Sequence, residues 1–198
     1  MKKHVVTLAV VLLMASSANL ASAENLAGRL GATARIGFTV PADSDWQVAG
    51  PLSSDTGVIF GAGLLYGITR NLAVEVDFTH SIYDMRFDRF SKDGTASVSN
   101  FSFGALWRFA SDRPYTPYLG GGLSVLVNDY TDTDVDTTLG VNFKGGIDYF
   151  LNPRLALNAE LKWVLSPTAD MHYRPAVDQG SFDPSSLSGL FGVRYFFN

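Results

Sequence analysis

The chain alternates between apolar residues and polar or small residues over most of its length, and this alternation limits its fold more than any other feature. Between Leu30 and Val40 the even positions are apolar, whereas the odd positions carry glycine, threonine and arginine. A period of two predicts a β-strand with two unlike faces. The pattern recurs in seven further segments, near Val58, Leu72, Phe101, Leu119, Leu139, Leu155 and Phe191.

Eight such segments predict an all-β fold, an eight-stranded antiparallel transmembrane β-barrel formed by residues 24–198, because an even strand number is typical of closed membrane barrels. Charged residues make up only 17% of the chain, against about 25% in soluble proteins. No long apolar run follows residue 23, so we expect no membrane-spanning helix in the barrel. The absence of cysteine excludes disulfides and thiolate metal sites.

The first 23 residues have the three-part pattern of a secretory signal peptide. Lys2 and Lys3 precede an apolar run from Val5 to Met14, and small residues then lead to Ala21-Ser22-Ala23. The apolar run is too short to cross about 30 Å of hydrocarbon as a helix. We therefore expect cleavage after Ala23 and export from the cytoplasm.

Alternation alone does not decide which face of the barrel points inward, since a soluble barrel would put its apolar face inside. Here the polar face is rich in glycine and carries both charge signs, which suits a narrow interior filled by side chains. The apolar face is then expected to contact lipid. The charged residues predicted to form a network in the lumen are Arg29, Arg35, Glu75, Asp77, Arg108, Lys144, Asp148, Glu160, Lys162 and Arg194.

The connections between the predicted strands alternate between short turns and long polar loops, as in outer-membrane barrels. The long loops are expected at residues 41–55, 84–96, 129–137 and 166–184. Aromatic residues collect at the strand ends beside the short turns, as an interfacial girdle requires. A sparser second ring, formed by Trp163, Tyr83 and Tyr130, is expected on the long-loop side.

The last predicted strand places Arg194 on the polar face between apolar neighbours. Its alternation ends in Tyr-x-Phe and resembles the C-terminal signal that outer-membrane proteins present to their assembly machinery. Asn198 follows that motif, which is a departure from it. The residues assigned to this signal are Phe191, Val193, Tyr195 and Phe197.

Four stretches, LLYGITRNLAVEVDF, RPYTPYLGGGLSV, GGIDYFLNPRLALNAELKWV and DPSSLSGLFGVRYFF, resemble the OmpW family of small outer-membrane proteins. Similar patterns occur in OmpA-type and OmpX-type barrels. The resemblance implies an eight-stranded barrel with a narrow lumen. It also implies a role in admitting small hydrophobic molecules that leave sideways through the wall, but it assigns no functional residue of this chain.

An eight-stranded barrel is just wide enough for its side chains to fill it, so a wide hydrophilic porin is not expected. Transport would need a charged plug low in the lumen and a pocket above it. Four apolar residues interrupt the polar face and are candidates for lining such a pocket, or else they only fill space: Leu65, Leu126, Val164 and Leu190.

The residues give little support for catalysis. Beyond residue 23 the only histidines are His80 and His172; neighbouring strand positions such as His80 and Ser81 face opposite ways. No nucleophile motif is present. The aspartates of residues 129–137 lack the glycine and closing glutamate of an EF-hand, so we expect a solvated acidic loop. We expect no enzyme activity, cofactor, metal or nucleic-acid partner.

The leading functional hypothesis is therefore a narrow outer-membrane channel of a Gram-negative bacterium for small hydrophobic molecules. The alternative is a non-transporting barrel that acts in adhesion, as a receptor or in envelope integrity through its external loops. The expected partners are outer-membrane lipid and lipopolysaccharide, the assembly machinery and small hydrophobic solutes. Apolar lumen residues near the outer rim would favour transport, whereas ion pairs throughout would favour the structural role.

Overall fold

A computed structural model describes residues 26–46, 50–87, 90–109, 114–130, 133–173 and 177–197. The predicted signal peptide, residues 1–23, lies outside these ranges, as does Asn198. Within the ranges the chain forms strands and no helix long and apolar enough to cross a membrane. The strands are β1 (Leu30–Pro41), β2 (Ser44–Trp46), β3 (Gly50–Ser54), β4 (Gly57–Gly67), β5 (Leu72–Phe87), β6 (Phe90–Arg108), β7 (Tyr115–Tyr130), β8 (Thr133–Val135), β9 (Thr138–Asn152), β10 (Leu155–Leu165), β11 (Ala169–Tyr173), β12 (Val177–Phe182) and β13 (Ser186–Phe196).

Eight long strands of the described chain close into an antiparallel barrel in the order β1, β4, β5, β6, β7, β9, β10 and β13. The first and last of them pair from Gly31 with Phe196 to Pro41 with Ser186, so the barrel has no free edge. The predicted eight-stranded antiparallel barrel is thus confirmed. Its strands alternate as expected: on β7, Leu123 and Val125 are exposed, whereas Ser124 and Leu126 are buried.

The short turns lie at one end of the barrel, which we call the turn end. In the turn before β5, Thr69 Oγ1 accepts hydrogen bonds from the backbone N–H groups of Asn71 and Leu72. In the turn before β10, Asn152 Oδ1 accepts hydrogen bonds from the N–H groups of Arg154 and Leu155, both at 2.9 Å. Side chains that accept backbone N–H bonds in this way fix tight turns locally.

The opposite end, which we call the loop end, contains more strand than the sequence predicts. Strands β5 and β6 extend into the predicted loop at residues 84–96, and Phe87 is paired with Phe90. The other three long connections contribute β2 and β3, β8, and β11 and β12. These short strands pair in the order β7, β8, β11, β12, β2, β3 and β5. Together with the ends of β5, β6 and β7 they form a second closed ring, the loop-strand ring.

Several glycines of the polar face allow neighbouring strands to approach closely. A Cβ atom added at Gly37 would overlap the carbonyl oxygen of Gly189, and one at Gly192 would overlap that of Ala34. Only at some positions does the glycine make room for a side chain in the lumen, as where Tyr118 lies over Gly146. The polar-face glycines therefore serve strand curvature as well as lumen filling.

Candidate functional site

Side chains of both charge signs meet inside the barrel, between its two ends. Each is at most 5% exposed, and hydrogen bonds and ion pairs join them into one connected network. We call this network the charged layer. Its members are Arg35, Glu75, Asp77, Arg108, Lys144, Asp148, Glu160, Lys162 and Arg194.

Glu75 forms ion pairs with three cationic side chains of the charged layer. It projects from β5 and accepts hydrogen bonds from Arg35 on β1, from Lys144 Nζ on β9 at 2.8 Å and from Arg194 Nη2 on β13 at 2.9 Å. These strands lie on different sides of the barrel. The contacts of Glu75 therefore cross the lumen and tie the opposite walls together.

The part of the charged layer nearer the loop end is built around Asp77. Lys162 Nζ lies 2.7 Å from Asp77 Oδ2, and Arg35 Nη1 lies 3.4 Å from Asp77 Oδ1. Arg35 also donates to Glu160 Oε1 at 2.7 Å, while the Tyr118 hydroxyl donates to Glu160 Oε2 at 2.7 Å. One guanidinium thus contacts three carboxylates, which compensates for its burial.

The part nearer the turn end is built around Asp148, which is fully buried. Its carboxylate lies 2.6 Å from Arg194 Nη1 and 2.8 Å from Arg108 Nη2. The side-chain amide of Asn158 donates a third contact at 2.7 Å. Asp148 therefore accepts hydrogen bonds from β10 and β13 and forms an ion pair with Arg108 on β6.

Arg29 lies apart from the charged layer, at the turn end. Its guanidinium donates to the carbonyl oxygen of Pro153 at 2.9 Å and lies 5.2 Å above the ring of Phe196. The structure thus brings nine of the ten predicted charged residues into one network and places the tenth at the mouth of the barrel. Because these side chains fill the lumen at mid-height, the described barrel has no wide axial passage there.

Two apolar clusters lie inside the barrel, one on each side of the charged layer. The loop-end cluster consists of Tyr83, Met85, Ala96, Val98, Leu126, Tyr130, Val164, Ala169 and Phe182. The turn-end cluster consists of Leu26, Leu65, Ala73, Leu106, Tyr118, Phe150, Ala156 and Phe196.

The four apolar residues that are candidates for lining a lumen pocket, or else for filling space, lie at different heights. Leu126 and Val164 belong to the loop-end cluster and Leu65 to the turn-end cluster. Leu190 is fully buried at mid-height, where it is paired with Glu160 of β10 and Gly37 of β1. All four point into the barrel, but they line no common pocket, because strand alternation fixes the direction of a side chain and not its height.

Two aromatic residues of the loop-end cluster, Tyr83 and Tyr130, lie inside the barrel. The sequence predicts an outward ring of these two with Trp163, and that prediction is wrong for both tyrosines. Each is 5% exposed inside the barrel, whereas Trp163 is exposed on the outer face. The alternation itself contained the signal, since Ile82 faces outward and its neighbour must face inward.

The structure places His80 beside a serine of the neighbouring strand, a contact that the sequence does not predict. His80 Nδ1 lies 2.9 Å from Ser99 Oγ on the neighbouring strand, and the His80 ring packs against Phe60 with centroids 5.3 Å apart. Among the described residues no carboxylate hydrogen-bonds to this imidazole. A serine nucleophile needs a histidine that a third group orients, and this pair lacks that group.

The outer face of β13 is apolar, as the alternation predicts. Phe191, Val193, Tyr195 and Phe197 are exposed there, and the rings of Tyr195 and Phe197 meet edge to face at 5.4 Å. Other aromatic residues of the turn end, among them Tyr66 and Trp107, are exposed on the same outer face. The barrel therefore carries an apolar outer surface with aromatic side chains at its turn end.

The acidic segment at residues 129–137 takes part in the loop-strand ring. Asp129 is paired with Asp134 of β8, and the backbone N–H of Asp136 donates to Asp170. Residues 131–132, which include the aspartate at position 132, lie outside the described residues. In the described part of the chain no group of three or more histidine and carboxylate side chains is placed to hold a metal ion.

Comparisons with known proteins agree with this architecture. A family model described as the outer membrane protein beta-barrel domain matches residues 7–197. The chain is similar to the outer membrane protein OprG from Pseudomonas aeruginosa, with 15% sequence identity. The superposition on its crystal structure covers 87% of this chain and 97% of that chain and has a TM-score of 0.71. Neisserial surface protein A (NspA) is 18% identical, with 85% and 96% covered and a TM-score of 0.56. No curated protein sequence matches significantly.

Proposed function

The chain belongs to the family of outer membrane protein β-barrel domains, and from this premise we propose that it admits small hydrophobic molecules through the loop end of its lumen. The exposed apolar wall then contacts lipid, and the loop end faces the cell exterior, since outer-membrane barrels have short periplasmic turns and longer external loops. The proposal includes no catalytic step and no cofactor.

The loop-end cluster is the observation that carries this proposal. Its apolar side chains lie inside the lumen, on the outer side of the charged layer. Apolar side chains at the outer rim give a small hydrophobic solute a favourable first binding place.

The charged layer accounts for the proposed selectivity. A hydrophobic solute cannot replace the ion pairs among Arg35, Glu75 and Lys144 without leaving buried charges unpaired. Axial passage is therefore unfavourable for such a solute. Sideways exit through the wall, which the OmpW resemblance implies, is the route consistent with this barrier.

The test is uptake of the apolar dye N-phenyl-1-naphthylamine and of a naphthalene sulfonate into vesicles whose outer leaflet is lipopolysaccharide. We expect the barrel to accelerate entry of the apolar dye only, and Leu126→Arg to abolish the acceleration. The matched control is Ile68→Arg, because Ile68 lies exposed in a turn far from the cluster. Equal slow entry with and without folded barrel would overturn the proposal.

The loop-strand ring favours a second candidate, an adhesion, receptor or envelope role that acts through the external surface. The ring joins all four long connections by backbone pairing. It thus extends the barrel wall at the loop end as a hydrogen-bonded surface that a partner can contact. If the barrel moves neither dye, binding of whole cells to surfaces or host cells, compared with and without the protein, is the measurement for this role.

The proposal also covers export and assembly. We propose that residues 1–23 are removed after Ala23 and that the assembly machinery recognises the outer face of β13. N-terminal sequencing of the protein recovered from outer membranes tests the cleavage, since a mature chain should begin at Glu24. Lipopolysaccharide is the proposed neighbour of the wall near the loop end.

A further inference from the structure

Three buried asparagines near the loop-end cluster have side-chain oxygens without a hydrogen-bond partner. Asn100, Asn128 and Asn142 are 4%, 6% and 1% exposed. In the described part of the chain the Oδ1 atom of each accepts no hydrogen bond. Buried carbonyl-type oxygens are nearly always paired in folded proteins, so three such atoms at one end of a lumen require an explanation.

The orientation of two of these side-chain amides is fixed by the hydrogen bonds that their Nδ2 atoms donate. Asn128 Nδ2 lies 2.8 Å from the carbonyl oxygen of Asp136, and Asn142 Nδ2 lies 3.2 Å from that of Leu123. A backbone carbonyl can only accept, so the amide nitrogen must face it. Exchanging the nitrogen and oxygen positions would break both bonds. The unpartnered atoms of Asn128 and Asn142 are therefore acceptors.

Each of the three asparagines lies directly across from an apolar member of the loop-end cluster. Asn100 is paired with Leu126 and Asn128 with Val98 across β6 and β7, while Asn142 is paired with Val164 across β9 and β10. Side chains directly opposite on one face have Cβ atoms about 5 Å apart. Three acceptors are thus distributed among the side chains that would contact a hydrophobic solute.

The nearby cations do not supply the missing donors. Lys144 and Lys162 are engaged with Glu75 and Asp77, at 2.8 and 2.7 Å. A pure hydrocarbon inserted into the cluster would leave the three oxygens unpaired, and a ligand that only accepts would place oxygen against oxygen. A hydroxyl or N–H group on an otherwise apolar molecule would instead complete their hydrogen bonding.

We infer that the loop-end cluster binds small amphipathic molecules that have an apolar body and at least one hydrogen-bond donor, and that Asn100, Asn128 and Asn142 accept from that donor. This inference rests on the proposed function and narrows its substrate class from hydrophobic molecules in general to donors such as alcohols, phenols and amides. The side chains of the closed cluster must part to admit the ligand, since they are buried against one another.

The test is a ¹⁹F NMR titration of the full protein, purified from outer membranes into nanodiscs, with 4-fluorobenzyl alcohol and 4-fluorobenzaldehyde. The two probes share ring and fluorine and differ in the donor; empty nanodiscs correct for partition into lipid. We expect the alcohol to bind about tenfold more tightly, because a site with unpaired polar groups rejects an analogue that cannot pair them. Asn142→Leu should reduce this preference to about threefold or less without weakening aldehyde binding.

The matched control is Asn158→Leu. Asn158 is equally buried and also has an unpartnered Oδ1 atom, but it contacts Asp148 in the charged layer. Its folded variant should keep the full preference for the alcohol. Loss of the preference in both variants would show that any buried asparagine has this effect, and would overturn the assignment to the loop-end cluster.

The outcomes distinguish failure of this inference from failure of the proposed channel function. Equal binding of alcohol and aldehyde by the unaltered barrel overturns the inference and leaves the hydrophobic channel standing, with water on the amide oxygens. Binding of neither probe by folded barrel overturns both. The comparison on the unaltered protein decides the matter even if a variant fails to fold.

Discussion

The guanidinium of Arg194 on β13 lies 2.6 Å from the carboxylate of Asp148 on β9, so this contact passes over the whole width of the intervening strand β10. Arg194 also reaches Glu75 on β5 at 2.9 Å and donates to Thr33 on β1 at 2.8 Å. The arginine that interrupts an apolar C-terminal strand in the sequence is therefore the residue that fastens that strand to three others.

Replacing this arginine should destabilise the barrel strongly. Arg194→Met leaves the buried carboxylates of Asp148 and Glu75 short of a partner, and breaking a buried pair on one side costs about 3–5 kcal/mol. Unfolding by guanidinium chloride in lipid vesicles measures the change in the free energy of unfolding. Arg154→Met, at an exposed turn residue, serves as the control and should stay within about 0.5 kcal/mol of the unaltered protein. Similar losses in both would contradict a central role for Arg194.

An arginine on the outer face should be unfavourable in proportion to its depth. Leu123 is exposed midway along β7, and Leu123→Arg is expected to lower the free energy of unfolding by about 2–4 kcal/mol in a bilayer. Ile68→Arg, at the turn end, should cost about 0–1 kcal/mol. If the two variants are equally stable in vesicles, the apolar face is not the lipid-facing one.

A methyl group at Gly37 should be poorly tolerated. Its Cβ would overlap the carbonyl oxygen of Gly189 on the paired strand, so the backbones must separate. Overpacking of this kind costs about 1–3 kcal/mol. At Gly145 the nearest atom is the Leu119 side chain at 3.1 Å, which can move, so Gly145→Ala should change stability little. Chemical unfolding of both variants makes the comparison, and an equal effect would refute the close-approach argument.

The exposed side chains of β13 should matter for assembly in cells more than for stability. Tyr195→Ser together with Phe197→Ser removes the aromatic pair at the end of the strand without altering the charged layer. We expect less folded barrel in outer membranes, measured as the heat-modifiable band on gels, and near-normal refolding in detergent. Loss of refolding in detergent as well would assign the pair to stability instead of recognition.

The sequence predicts the direction of the lumen side chains but not their height in the barrel. Strand alternation placed Leu126, Val164 and Leu190 on the inner face correctly because the direction of a side chain follows from its position parity. The height of each residue did not follow, since it depends on the stagger between strands that are distant in sequence. Leu65 and Leu126, both candidates for one lumen pocket on the sequence, therefore lie at opposite ends of the barrel.

The sequence by itself determined the all-β fold, the number of long strands and the division into an apolar outer face and a charged inner face, because each is a local consequence of period two. Only the tertiary structure decided which charges meet, the separation of the apolar lumen residues into two clusters, and the pairing of the long connections into a second ring. Those features depend on register between strands such as β9 and β13. Register is set by all the backbone and side-chain contacts around a closed ring at once.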